Sequence, residues 1–250
     1  MTRRRWIAAN YTPTTATLTG TQADHLVRVL RAKPGYLADV AAGERVFRAV
    51  VESVADEEVV FRLIEETSRD QALPVTLVLS VFKFDRMEWA IEKATELGVA
   101  AIAPVLAQRT EKHLAMAADK RVERWRRLTL EAAKQSRRSS IPTVLDPLPL
   151  EKRIREMQSN PGILLSENEH DETLRTQWDR LSRNDGETLP EIALAIGPEG
   201  GWTAEEEKLF AQYNWRAATL GPRILRAETA AIASLAIVAS LLETPQFRSA

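Results

Sequence analysis

The rhythm of the chain changes near residue 74, and that change limits what it can fold into. From Val75 onward, short apolar runs alternate with helical patterns. "VTLVLSVF" (75–82), "VAAIAPV" (99–105), "GILLSE" (162–167), "EIALAIG" (191–197) and "RAATLG" (216–221) read as strands. Helices are expected at 86–97, 119–135, 171–182, after Thr203, and at 228–243. Thr203 and Glu206 have the spacing of a capping box. Strands that are apolar throughout, separated by helices, require a mostly parallel sheet covered on both faces. The fold class is therefore α/β. Ligands of such sheets sit beyond the carboxyl ends of the strands. Three strands end in loops rich in glycine and polar residues: "LLSENE", "AIGPEGG" and "TLGPRILRAET". If these loops converge, they form one pocket.

The first 70 residues follow a different pattern. "RVFRAVVESV" (45–54) and "EVVFRLIEE" (58–66) are partly alternating and joined by "ADE", which reads as a β-hairpin. A further short strand is expected within 32–44 and a short helix from Ala23 to about Leu30. A small β-barrel-like domain is the economical reading. The polar stretch "TSRDQALP" (67–74) marks a boundary, giving domains at 1–73 and 74–250.

Composition narrows the chemistry. There is no cysteine, so disulfides and thiolate metal sites are excluded. His25, His113 and His170 lie far apart in sequence, and no metal is expected. The N-terminus lacks the apolar core of a signal peptide. The apolar-rich stretch 229–242 is shorter than the roughly 20 residues of a membrane span. The expectation is a cytoplasmic protein with no membrane partner. The net charge of −1 does not select a partner. Basic residues cluster, however, at 1–33 and 120–138, which suggests a localised polyanion surface. The bland alternative is a solvated helix face.

The loop "AIGPEGGWTAEEE" (195–207) poses the ligand question most sharply. A phosphate loop needs GxxxxGK[ST], and no lysine follows these glycines. The GxGxxG fingerprint is absent too. The N-terminus of a helix favours an anion, but Glu199, Glu205, Glu206 and Glu207 would oppose one. A neutral heterocycle or a cation suits the loop better, and S-adenosylmethionine combines the two. The alternative is that these residues only shape a strand-to-helix turn. In "LGPRILRAETA" (220–230), Arg223 and Arg226 follow a Gly-Pro turn and could clamp a phosphodiester or a base carbonyl. Surface salt bridges are their bland reading.

Together these two segments resemble the ribosomal small-subunit RNA methyltransferases that modify uridine at N3, members of the SPOUT superfamily. "HLVRVLRAKPG" (25–35), "KFDRMEWAIEKATELGV" (83–99), "EAAKQSRRSSIP" (131–142) and "LLSENE" (164–169) extend the resemblance, in the family order, over nearly the whole chain. Within "AQRTEKH" (107–113), Thr110 stands where the family usually has serine. The resemblance implies an N-terminal PUA-like β-barrel that grips RNA. It also implies a C-terminal SPOUT domain with a trefoil knot that binds S-adenosyl-L-methionine. The implied assembly is a homodimer, and the implied substrate is one uridine of 16S rRNA in the assembled small ribosomal subunit.

Carried over residue by residue, the cofactor-binding positions are Leu165, Ser166 and Glu167; Gly197, Pro198, Glu199, Gly200 and Gly201; Leu220, Gly221, Ile224, Leu225 and Arg226; and Thr229. Arg226 and Arg223 are expected to stabilise charge on the target base, with Glu228 or water taking its proton. No histidine falls in a matching motif, so a histidine base is not expected. Arg4, Arg5, Arg28, Arg31, Arg137 and Arg138 are the expected RNA contacts. Trp89 and Trp125, both in helical patterns, read as packing residues. Two other readings stay open: a different acceptor such as a ribose 2′-hydroxyl, and an RNA-binding protein without activity.

Overall fold

The computed structural model describes residues 5–43, 45–55, 58–67, 72–136, 138, 140–182 and 191–242. The chain divides into two compact units, Met1–Gln71 with Ala133–Ile141, and Ala72–Ala132 with Pro142–Ala250.

The first unit is built on strands β1 (Arg5–Ile7), β2 (Asn10–Tyr11), β3 (Thr15–Thr19), β4 (Leu37–Ala42), β5 (Arg45–Val54) and β6 (Glu58–Thr67). They form one sheet in the order β1-β4-β5-β6-β3-β2, with β1 parallel to β4 and the other pairs antiparallel. The two edge strands are consecutive in the chain. In a flat sheet of six strands the edges would stand about 24 Å apart, whereas the step from Ile7 to Asn10 spans at most about 11 Å. The sheet must therefore curl until its edges meet. Two backbone bonds mark the meeting: Ala8 N–H donates to Ala41 at 2.8 Å and Ala9 N–H to Thr17 at 2.8 Å. Trp6, Leu18, Leu26, Val40, Val51 and Phe61 fill its interior. The expected helix is present as α1 (Gly20–Asp24), continued by a π-helical turn over His25–Val29. Strands β1 to β3 were not expected from the sequence.

The second unit holds a parallel sheet. Its strands are β7 (Leu73–Ser80), β8 (Val99–Leu106), β9 (Thr143–Val144), β10 (Leu148–Pro149), β11 (Gly162–Leu165), β12 (Ile192–Ile196) and β13 (Arg216–Ala218). The order is β10-β8-β7-β12-β11-β13, with β9 also pairing β8, and all these pairings are parallel. Side chains alternate between the two faces of a strand, and the core divides accordingly. Val75, Leu77, Leu79, Ile192, Leu194 and Ile196 pack against α2 (Phe84–Glu96), α3 (Lys112–Ser136), α5 (Leu174–Ser182) and α7 (Ala227–Leu242). Val78, Ala103, Val105, Ala193 and Ala195 pack with α4 (Leu150–Glu156) and α6 (Ala204–Gln212). Two covered faces explain why β12 is apolar at every position. No helix among the described residues is long and apolar enough to cross a membrane.

Two expectations are corrected here. Helix α3 starts at Lys112, seven residues before the expected start, because Leu114, Ala118, Val122 and Trp125 form one continuous buried stripe. Trp125 is fully buried, but Trp89 is 47% exposed. Trp89 lies off the α2 face that buries Met87, Ala90, Ile91 and Ala94, so it is not a core residue of this chain.

Candidate active site

The strands β12, β11 and β13 are neighbours, and the loops after their carboxyl ends line one cavity of about 560 Å³. This is the size of a small-molecule site. The first loop contributes Leu165, Ser166, Glu167, Asn168 and His170. The second contributes Gly197, Pro198, Glu199, Gly201 and Trp202. The third contributes Leu220, Gly221, Pro222, Arg223, Ile224 and Leu225.

Two of the four glutamates near the glycine turn have structural partners. Glu206 is buried and closes the capping box: its carboxylate accepts from Thr203 N–H at 2.9 Å, and its own N–H donates to Thr203 Oγ1 at 3.2 Å. The same carboxylate accepts from Gln108 N–H at 2.7 Å. Glu207 accepts from Ser166 Oγ at 2.6 Å and from Asn168 Nδ2 at 3.0 Å. Its charge thus fastens α6 to the first loop. Glu199 and Glu205 are exposed.

The turn itself depends on Gly201, which has φ +70 and donates its N–H to Pro198 at 2.8 Å. A Cβ there would stand 3.0 Å from Glu167 Oε1. Trp202 is buried, donates its indole N–H to Leu165 at 3.1 Å, and meets Phe210 edge-on at 5.0 Å. It is a wall of the cavity with its polar tip satisfied.

The third loop is open in a different way. Ile224 is 85% exposed. Among the described residues, the backbone N–H groups of Arg223, Ile224 and Leu225 have no hydrogen-bond partner. An apolar side chain beside free backbone donors suits a flat heterocycle with acceptor nitrogens. The exposed carboxylates of Glu167 and Glu199 on the same wall suit a positive centre. The residues therefore fit S-adenosylmethionine better than a polyphosphate.

Several expected site residues stand elsewhere. Gly200, Arg226 and Thr229 do not line the cavity, and Arg226 and Thr229 are exposed. Glu228 is buried, with one carboxylate oxygen 3.9 Å from Arg86 Nε and the other without a hydrogen-bond partner. It is not on the cavity wall. Arg5 is partly buried, while Arg28 and Arg31 are exposed. Arg28 pairs with Asp24 at 3.4 Å. Arg4 and Arg137 lie outside the described residues. Arg138 is only 4% exposed and donates to Ser140 Oγ at 3.3 Å, so it is held inward and is not free to meet phosphate.

The basic helix is partly neutralised. Arg121 and Arg124 pair with Glu88, and Arg126 pairs with Glu123 and Asp146. Among the described residues Lys120 and Arg127 make no ion pair.

Sequence reasoning missed His170, which follows the recognised "LLSENE" by one residue and stands on the wall. It also missed Asn168 and Glu207 as wall residues. Among the described residues no cluster of three or more His, Asp or Glu side chains could hold a metal ion.

A cleft beyond the carboxyl ends of neighbouring parallel strands places the chain among α/β proteins with a small-molecule site. Residues 69–239 match the family model of the RNA methyltransferase domain. The chain is 35% identical over 235 residues to ribosomal RNA small subunit methyltransferase E of Synechocystis sp., covering 92% of this chain and 74% of that protein. Its counterpart in Bacillus subtilis is 31% identical over 232 residues, with 90% and 89% covered. Among solved structures, ribosomal RNA small subunit methyltransferase E from Neisseria gonorrhoeae bound to S-adenosyl methionine superposes with a TM-score of 0.75 at 29% identity. That alignment covers 96% of this chain and 98% of the other. The chain belongs to the RNA methyltransferase domain family and, within it, to the ribosomal RNA small subunit methyltransferase E group.

Proposed function

We propose that this protein methylates N3 of one uridine in 16S rRNA, within the assembled small ribosomal subunit, using S-adenosyl-L-methionine. The observation that carries the reading is the convergence of three loops, after β11, β12 and β13, on one cavity with free backbone donors and an exposed isoleucine. When bound, S-adenosylmethionine supplies an electrophilic methyl group on a sulfonium.

The chain's own residues do the rest. Backbone groups of 165–167, 197–199, Gly201 and 220–225 would hold the adenosine, with Ile224 as an apolar contact for it. Glu167 and Glu199 favour the positive end. The N3 position of uracil reacts only as it loses its imide proton, and negative charge then spreads over O2 and O4. Arg223, on the cavity wall, donates to that charge, where a cation lowers the barrier. Arg226, outside the wall in this chain, takes the lesser part. His170 is the imidazole on the cavity wall, and an imidazole nitrogen with a lone pair can accept a proton. We assign it the imide proton in place of Glu228.

The reading extends to the resemblance's other expectations: a SPOUT trefoil knot, a homodimer with its sites at the interface, and a cytoplasmic location. It assigns the first unit as a PUA-like domain whose Arg5, Arg28 and Arg31 meet RNA phosphates. Within the second unit, Lys120 and Arg127 of α3 are assigned RNA phosphate contacts of their own. The target base leaves its stack to reach the cavity.

Calorimetry with S-adenosylmethionine, followed by labelled-methyl transfer to small subunits and to naked 16S rRNA, tests this reading. It expects cofactor binding and label in the subunits but not in the free RNA. Absence of cofactor binding overturns it.

A further inference from the structure

The connection from β8 to α3 packs against the glycine turn. Ala107 to Thr110 form a tight turn of their own. Thr110 N–H donates to Ala107 at 3.0 Å, Ala107 N–H donates to Thr110 Oγ1 at 3.2 Å, and Thr110 Oγ1 donates to Val81 at 3.0 Å, after the end of β7. This rigid base presents Gln108 and Arg109 to the residues that follow β12. Gln108 gives its N–H to Glu206, and its side-chain oxygen accepts from Thr203 Oγ1 at 3.2 Å. Arg109 Nη1 donates to the Gly200 carbonyl and, at 3.2 Å, to the Trp202 carbonyl.

We propose that Arg109 is a positioning residue that clamps the 197–203 turn in its ligand-binding shape; this rests on the reading of the cavity as the S-adenosylmethionine site. One guanidinium spans the turn and accounts for two of its carbonyls by charge-assisted bonds. Those carbonyls face Arg109, which is not on the cavity wall, while Gly197, Gly201 and Trp202 are. Apart from this clamp, the Gly201–Pro198 bond is the backbone bond that closes the turn. Gly200 fits the same design. A Cβ on it would stand 3.2 Å from Arg109 Cδ, so the arginine stem occupies the room that glycine leaves. Arg109 Nη1 also lies 3.8 Å from the place where a Cβ on Gly201 would stand, and Glu167 Oε1 lies 3.0 Å from it. Both bonds leave from Nη1, and a lysine there keeps the charge but loses the guanidinium plane that aims this nitrogen at the two carbonyls. A clamp of this kind governs how well the ligand is held and leaves methyl transfer from the bound state alone.

The test compares wild type, Arg109→Ala and Arg109→Lys. Hydrogen–deuterium exchange of the ligand-free proteins is read at 197–203, with 192–196 as the internal control. S-adenosylmethionine affinity and steady-state kinetics complete the set. The clamp predicts exchange at 197–203 about tenfold faster in Arg109→Ala, with 192–196 unchanged. It also predicts affinity about 10- to 100-fold weaker, kcat at saturating cofactor within about twofold, and Arg109→Lys in between. Unchanged exchange overturns the proposal, as does faster exchange at both segments or a fall in kcat with affinity unchanged. If wild type binds no S-adenosylmethionine, the methyltransferase reading fails, while exchange at 197–203 still decides whether the clamp exists.

Discussion

The hydroxyl of Ser166 donates to the carboxylate of Glu207 at 2.6 Å, and this bond joins the loop after β11 to the first turn of α6. Asn168 Nδ2 shares the same oxygen at 3.0 Å. The carboxylate therefore holds two polar groups of the cavity wall in place. Glu207→Ala should free both and weaken S-adenosylmethionine binding about tenfold, at a stability cost of about 1 kcal/mol. Calorimetry and urea unfolding read the two effects separately. Ser166→Ala should produce a smaller loss, because the bond from Asn168 survives.

Glu206 is the more expensive residue to lose. Its buried carboxylate accepts from Thr203 and Gln108 N–H groups. Glu206→Ala removes the capping box and leaves the Gln108 donor without its acceptor, so a loss of about 2–3 kcal/mol is expected. Glu206→Gln keeps one acceptor oxygen and should recover about half. Denaturant midpoints of the two variants check the ordering.

Gly162 opens β11 directly against the Trp215 ring. A Cβ there would come within 2.2 Å of the indole, and Trp215 is itself buried between Phe210 and the strand. Gly162→Ala should destabilise by about 3 kcal/mol or more. Trp215→Leu in the same chain should restore part of that loss, and a double-mutant cycle of unfolding free energies measures the coupling.

Much of this architecture can be read from the sequence, because β7, β8, β11, β12 and α2 carry their own patterns. Thr203 and Glu206 announce the start of α6 in the same way, through spacing alone. The elements that were not legible are those defined by distant partners. Strand β1 is three residues, Arg-Trp-Ile, and is a strand because it pairs with Asp39 to Ala41. Strands β9 and β10 are two residues each and exist through β8. The long-range partners of the glutamates were equally hidden, since Gln108, which Glu206 meets in addition to Thr203, lies 98 residues away. Arg109 carried no local signal, because its role depends on a turn formed nearly as far along the chain. His170 was adjacent to a recognised motif but outside it.

Glu169 gives the first loop a pH-dependent contribution to stability. The backbone N–H of Glu172, and next that of Asp171, hold its carboxylate below the ordinary value of 4.5. A depressed folded value means stability that is fully present above about pH 4.5 and lost as pH falls through the folded pKa. Melting temperatures of wild type and Glu169→Gln between about pH 5 and pH 3 should converge as the acid limit is approached. At neutral pH, wild type should be the more stable of the two.

His170 gives activity its own signature. If it accepts the imide proton, His170→Gln should lose about 100-fold in kcat, with S-adenosylmethionine affinity little changed. Steady-state kinetics and calorimetry of the two proteins read the two effects separately.

The most direct measurement is the identity of the methylated nucleoside. The protein is mixed with methyl-labelled S-adenosylmethionine and small ribosomal subunits lacking the modification, and the RNA is digested and its nucleosides separated. The account predicts label in N3-methyluridine, reduced about 100-fold or more by Arg223→Ala with cofactor affinity retained. Label in a 2′-O-methyl nucleoside or another base, or full activity in Arg223→Ala, would contradict it.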